Sequence, residues 1–177
     1  MQFGLVGSEM CIRDRLGSGS RDEVKQLVNL IDYVDVVIPR GGRGLVEFIK
    51  SEAKVPVFAH LEGIVHIYVH DKADLDVAKT VVQNSKSRRP GICGAVETLL
   101  IDKEFYKKHG NALIDFLITQ GIEIRADKGL FNSESIVCVS ESDYGFEFLE
   151  NILAVKVVPD IDCAISHIRY FGSNHTD

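Results

Sequence analysis

Cys93 stands in the stretch Arg88-Arg89-Pro90-Gly91-Ile92-Cys93-Gly94-Ala95, after a Pro-Gly turn and just ahead of the apolar run that begins at Val96. A cysteine on a short loop before a strand can be reached by a substrate. As a thiolate it can hold an acyl group as a thioester, which splits one difficult transfer into two easier steps. Arg88 and Arg89 are close enough in sequence to favour the thiolate or an anionic substrate. Spacing alone leaves a small packing residue equally open. Cys138 and Cys163 fall within an apolar strand pattern and an amphipathic helix pattern, so both are expected in the core.

Two further groups have chemical potential. Gly41 and Gly42, in "VVIPRGGRGL", separate a strand pattern from a helix pattern. Backbone amides at such a turn can approach an anion or a ring, aided by the helix dipole. The G-x-G-x-x-G fingerprint is absent, so a plain strand-to-helix turn remains open. His66, Tyr68 and His70 alternate and share one side of a strand. No third ligand accompanies the histidines, and no metal site is expected. His109 sits in a charged helical stretch and is expected to be solvated.

The elements that must position these residues follow from periodicity. Arg21–Ile31 has a helical stripe of Val24, Leu27, Val28 and Ile31. "VDVVIP", "VPVFAH", "IVHIYVH", "TLLID", "IEIRAD", "SIVCVS" and "LAVKVV" read as strands. Between them lie helices opening at Gly42, at Asp74 as N-cap, after Asp102 and at "DIDCAISHI". Gly121 ends the helix that precedes "IEIRAD". Strands alternating with helices predict an α/β fold with a largely parallel sheet.

Composition sets outer limits. The chain has 177 residues, 45% of them hydrophobic and 26% charged, which is globular composition sufficient for one domain or two small ones. The net charge of −6 argues against nucleic acid as the main partner. No apolar run has the length of a membrane span, and no convincing signal peptide opens the chain. Cys11, Cys93, Cys138 and Cys163 show no paired spacing, as expected for reduced thiols in a cytoplasmic protein. The opening "LVGSEMCIRDR" matches a reading frame of a sequencing-library transposase adapter, so residues 1–15 are set aside as an artefact and Cys11 with them. "FGSNHTD" closes the chain without a terminal element, so the whole reads as a fragment of a longer gene.

In order and spacing, "VIPRGGRGL", "HLEGIVHIYV", "ADLD", "RRPGICGAVETLL", "FEFLENILAVKVV", "DIDCAISHI" and "FGSNHTD" resemble the gamma-glutamyl phosphate reductase family of the aldehyde dehydrogenase superfamily. The resemblance runs from about Asp22 to Asp177. It implies an aldehyde dehydrogenase-like α/β fold: a partial Rossmann-type cofactor domain over 16–60 and a truncated catalytic domain over 61–177. It implies NADPH-dependent reduction of L-glutamyl 5-phosphate to glutamate 5-semialdehyde and phosphate, in proline biosynthesis. Glutamate 5-kinase would be the pathway neighbour, and the full-length protein a cytoplasmic homo-oligomer. The fragment itself is expected to be inactive. Rival readings are another aldehyde dehydrogenase-like oxidoreductase, the reductase part of a bifunctional pyrroline-5-carboxylate synthetase, or a binding module without chemistry.

Carried over by position, Cys93 matches the catalytic cysteine. Arg40, Gly41 and Gly42 match the turn beside the nicotinamide cofactor, and Glu147 resembles the glutamate that binds its ribose. Arg89, Ser173, His175 and Thr176 fall where substrate binds. The family commonly has Asn after the cysteine, where Gly94 stands here. His60 replaces the glutamate with which hydrolytic relatives activate water, which suits an enzyme whose thioester must meet hydride instead. The cofactor turn and the thiol are expected to converge on one cleft.

Overall fold

The computed structural model describes residues 20–59 and 62–175, so the adapter-like segment 1–15, His60 and Thr176 lie outside the described residues. The chain divides into two compact units, Met1–Leu61 and Glu62–Asp177.

In the first unit, helix α1 (Arg21–Leu27) starts at Ser20, whose hydroxyl accepts the Glu23 N–H, and α2 (Arg43–Glu52) starts at Gly42. Val28, Ile49 and Val55 form their shared core. The helical stripe predicted to Ile31 stops early: α1 ends at Leu27 and Ile31 is exposed. The predicted strands "VDVVIP" and "VPVFAH" reduce to one parallel bridge, Val37 with Val57. Each finds only the other as a partner among the described residues, and a ladder propagates poorly from a single pairing.

The second unit is a parallel five-stranded sheet in the order β1-β2-β5-β3-β4. The strands are β1 (Val65–Val69), β2 (Val96–Asp102), β3 (Glu123–Ala126), β4 (Val137–Cys138) and β5 (Ile152–Val158). Helices α3 (Leu75–Ser87) and α4 (Lys103–Thr119) cover one face, where Leu99, Ile101 and Val155 meet Val82, Phe105 and Leu117. Helix α5 (Ile161–Phe171) covers the other, where Leu100 and Val158 meet Ala164. All seven residues of β2 are buried, because it is flanked by β1 and β5 and covered on both faces. The predicted stops and starts are present. Asp74 caps α3 by accepting the Asp76 and Val77 amides, and Gly121 follows α4 with φ +79°.

Two cysteine expectations are overturned. Cys138 is exposed, because "SIVCVS" forms only the two-residue edge strand β4. Cys163 is exposed in the first turn of α5, where its N–H donates to the Asp160 carboxylate (2.9 Å). His109 is half-buried against the Phe105 ring, with centroids 5.3 Å apart, rather than solvated.

His66 and Tyr68 face α5 as the alternation predicted. His66 is buried against His167 of α5 (centroids 5.5 Å), which also meets Tyr144 and Phe171. Burial pushes the His167 imidazolium down to about 4, helped by repulsion from Lys156 and His66. Between about pH 4 and 6.5 the unfolded chain therefore binds more protons at this residue, and stability falls as pH drops through that window. The expected loss is roughly 2 kcal/mol by pH 4.5. Urea midpoints at pH 7 and 4.5 test it: His167→Phe should lose less than the parent chain over the same interval.

Candidate active site

The site grows from the turn between α3 and β2. Arg88 closes α3, and Pro90 and Gly91 turn the chain. The Ile92 N–H reaches the Arg89 carbonyl (3.4 Å), and the Ala95 N–H reaches the Ile92 carbonyl (2.9 Å). This tight loop presents Cys93 half-buried, ahead of the buried β2, with Arg89 exposed on the same loop. Nothing lies within 4 Å of a Cβ placed on Gly94, so packing does not impose glycine there.

Two other segments close on this loop. Gly63, just before β1, lies so near that a Cβ built on it falls 1.9 Å from the Cys93 carbonyl oxygen. The Gly63 N–H donates to Glu147 Oε1 (2.9 Å), and the next amide, that of Ile64, donates to Ser173 Oγ (3.0 Å). Residues 63 and 64 thus gather Cys93, Glu147 and Ser173 around one point. His175 is half-buried two residues beyond Ser173.

Arg40, Gly41 and Gly42 belong to the other unit. Gly41 has φ +154°, and a Cβ there would fall 2.8 Å from Leu45 Cδ2. Gly42 is the N-cap of α2 and has no side chain to satisfy the first-turn amides.

Lys86, Glu97, Gly63 and Leu149 carry no role in the sequence reading, yet all four shape the site. Lys86 Nζ and Glu97 Oε2 form an ion pair at 2.6 Å with both side chains fully buried. Burial pushes the Glu97 carboxyl up and the Lys86 ammonium down, each partly offset by the hydrogen bond to the other. Glu97 Oε1 accepts the Leu149 N–H (3.3 Å). A signal existed: Lys86 continues the buried stripe of Ala78 and Val82 at four-residue spacing, and Glu97 stands in the apolar run that opens β2, well before the Asp102 that closes it.

Open α/β sheets usually bind ligands at the carboxyl ends of their strands. At that end a cavity of about 330 Å³ is lined by Tyr68, His70, Asp102, Glu104 and Asp160. Cys93 lies at the opposite end, before β2 begins.

A gamma-glutamyl phosphate reductase of Rhodopseudomonas palustris (strain BisB5) is 50% identical over 145 residues, covering 81% of this chain and 34% of that protein. One from Methylobacterium nodulans is 47% identical over 166 residues, covering 93% of the chain and 37% of that protein. The chain belongs to the gamma-glutamyl phosphate reductase family. It spans about a third of the length of these relatives. The crystal structure of the family member from Thermotoga maritima superposes with a TM-score of 0.81 at 36% identity, over 89% of this chain and 38% of that one. The betaine aldehyde dehydrogenase of Staphylococcus aureus, solved with NAD+, superposes at 0.61 with 15% identity, over 81% of this chain and 38% of that one. The fold is therefore the aldehyde dehydrogenase-like α/β fold that the motifs implied. No protein-family model matches the chain. No helix among the described residues is long and apolar enough to cross a membrane.

Proposed function

We propose that this chain is the thiol-bearing part of an enzyme that reduces L-glutamyl 5-phosphate to glutamate 5-semialdehyde in the cytoplasmic synthesis of proline. One observation carries the reading: a half-buried cysteine on a tight turn, with Gly63 against its backbone and Glu147 and Ser173 held to the amides of residues 63 and 64. Glutamate 5-kinase would supply the acyl phosphate, and the whole protein would be a homo-oligomer.

Residues 16–60 are assigned to the cofactor domain and 61–177 to the catalytic domain. The residues present suit a nicotinamide cofactor. The uncapped start of α2 at Gly42 leaves first-turn amides for an acceptor, and the Glu147 carboxylate is a fitting partner for ribose hydroxyls. Arg40, Gly41, Gly42 and Glu147 would hold NADPH, which supplies the hydride when bound.

Cys93 Sγ attacks the acyl carbon. A C–S bond forms, the bond from that carbon to the phosphate oxygen breaks, and phosphate leaves with the electron pair. Phosphate is a good leaving group and needs little help from a general acid. After reduction the C–S bond breaks, the thiolate is released and the aldehyde departs. Backbone amides around Cys93 would stabilise the oxyanion at both stages, and Arg89, Ser173, His175 and Thr176 would hold the substrate.

The reverse reaction tests the reading. With the longer protein that contains this chain, glutamate 5-semialdehyde and NADP+ should yield NADPH only when inorganic phosphate is present. Arsenate should substitute, because it also cleaves an acyl-thiol bond. Equal turnover without either anion would place the protein among aldehyde dehydrogenases that release the acyl group to water.

A further inference from the structure

We propose that the buried Lys86–Glu97 pair is the positioning device of this site. Through the turn at Leu149 it sets the Glu147-bearing segment against the Cys93 loop. The proposal rests on the roles given above to Cys93 and Glu147.

The connections form a closed circuit. Lys86 is in the last turn of α3 and Glu97 is the second residue of β2, so their bond at 2.6 Å ties together the two ends of the loop that carries Cys93. The second oxygen of Glu97 accepts the Leu149 N–H, and the Phe148 amide also favours the ionised carboxylate. Glu147, immediately before these two residues, accepts the Gly63 N–H, and Gly63 rests on the backbone of Cys93. Glu147 also lies near enough to Lys86 to favour its charged form.

Two features separate this arrangement from ordinary core packing. Leu149 has φ +58°, a conformation that costs a branched side chain energy and persists only where its surroundings hold it. An amide held by a buried carboxylate is such a restraint, and it acts two residues from Glu147. An ion pair is also a poor choice for stability alone, because apolar residues of similar size commonly do as well in a core. What an apolar pair cannot supply is a hydrogen-bond acceptor for the Leu149 N–H at a fixed place.

Site-resolved amide hydrogen exchange and iodoacetamide labelling of the 177-residue chain test the proposal. In the native chain the Leu149 and Gly63 amides should exchange at least a hundredfold slower than free-peptide rates. In the double variant Lys86→Leu with Glu97→Leu, the amides between β2 and β5 should stay protected. Leu149 and Gly63 should exchange at least tenfold faster, and the labelling rate of Cys93 should change at least threefold relative to exposed Cys138. The double variant Lys86→Met with Glu97→Gln removes the competing ammonium donor and keeps a carbonyl acceptor for the Leu149 N–H, so it should hold Leu149 protection within threefold of native. A folded double-leucine variant with unchanged exchange and labelling overturns the proposal. So do native amides at Leu149 and Gly63 that exchange at free-peptide rates, and that measurement decides if the double-leucine variant fails to fold. None of these readouts requires turnover, so loss of the catalytic reading through phosphate-independent chemistry would be seen separately.

Discussion

Cys93→Ser in the longer protein is expected to lower NADPH-dependent reduction about a thousandfold or more while leaving cofactor affinity within a few-fold of the parent. A serine hydroxyl is a far weaker nucleophile than a thiolate, and in the proposed mechanism every later step waits on the thioester. Losses of this size are typical when a covalent nucleophile is removed. Steady-state rates with acyl phosphate, together with fluorescence titration of NADPH, separate the two effects. Cys138→Ser is the control, and its exposure on the edge strand predicts little change in rate or stability. Near-normal turnover of Cys93→Ser would end the covalent mechanism.

Gly63→Ala is expected to be the most disruptive single methyl group in the site. Its Cβ would fall 1.9 Å from the Cys93 carbonyl oxygen and within 3 Å of the Cys93 carbonyl carbon and Cα. These are backbone atoms of a tight loop, so no flexible side chain can swing aside. Either the Cys93 loop or the start of β1 must move, and the cost is about 2–3 kcal/mol of stability, as for other overpacked sites. Movement of the loop also breaks the geometry that lets the Gly63 N–H reach Glu147. Gly94→Ala provides the contrast, since nothing lies within 4 Å of a Cβ there. Urea unfolding should show a large fall for Gly63→Ala and a change within about 0.5 kcal/mol for Gly94→Ala. Equal effects at the two glycines would contradict the packing of Gly63 on Cys93.

Sequence alone determined the class of fold and the candidate nucleophile. Long elements with strong periodicity, such as α3, α4, β2 and β5, were legible because their side-chain patterns and caps act locally: Asp74 folds back on its own helix start, and Gly121 adopts a left-handed conformation at a helix end. The ordered motifs around Cys93 pointed to the family and, through it, to Glu147 and Ser173. Burial was less legible. Cys138 and Cys163 sit in apolar patterns, but whether such a pattern is covered depends on how far a strand pairs and which helical turn faces the sheet. The same limit reduced two predicted strands of the first unit to a single bridge, because pairing needs neighbours that periodicity does not specify.

Only the tertiary structure decided what surrounds the Cys93 loop. Gly63 and Cys93 are 30 residues apart and Glu147 is 84 beyond Gly63, so no local spacing joins them. They meet because β1 and β2 pair side by side, while the segment before β5 reaches the Gly63 amide. Lys86 and Glu97 were visible as charges on apolar stripes, yet a charge in such a stripe has no assigned partner until the helix is laid on the sheet. Packing α3 against β2 removes both from water, and desolvation then requires each to find the other. The acceptor for Leu149 is a product of that packing, and so is the turn that carries Glu147.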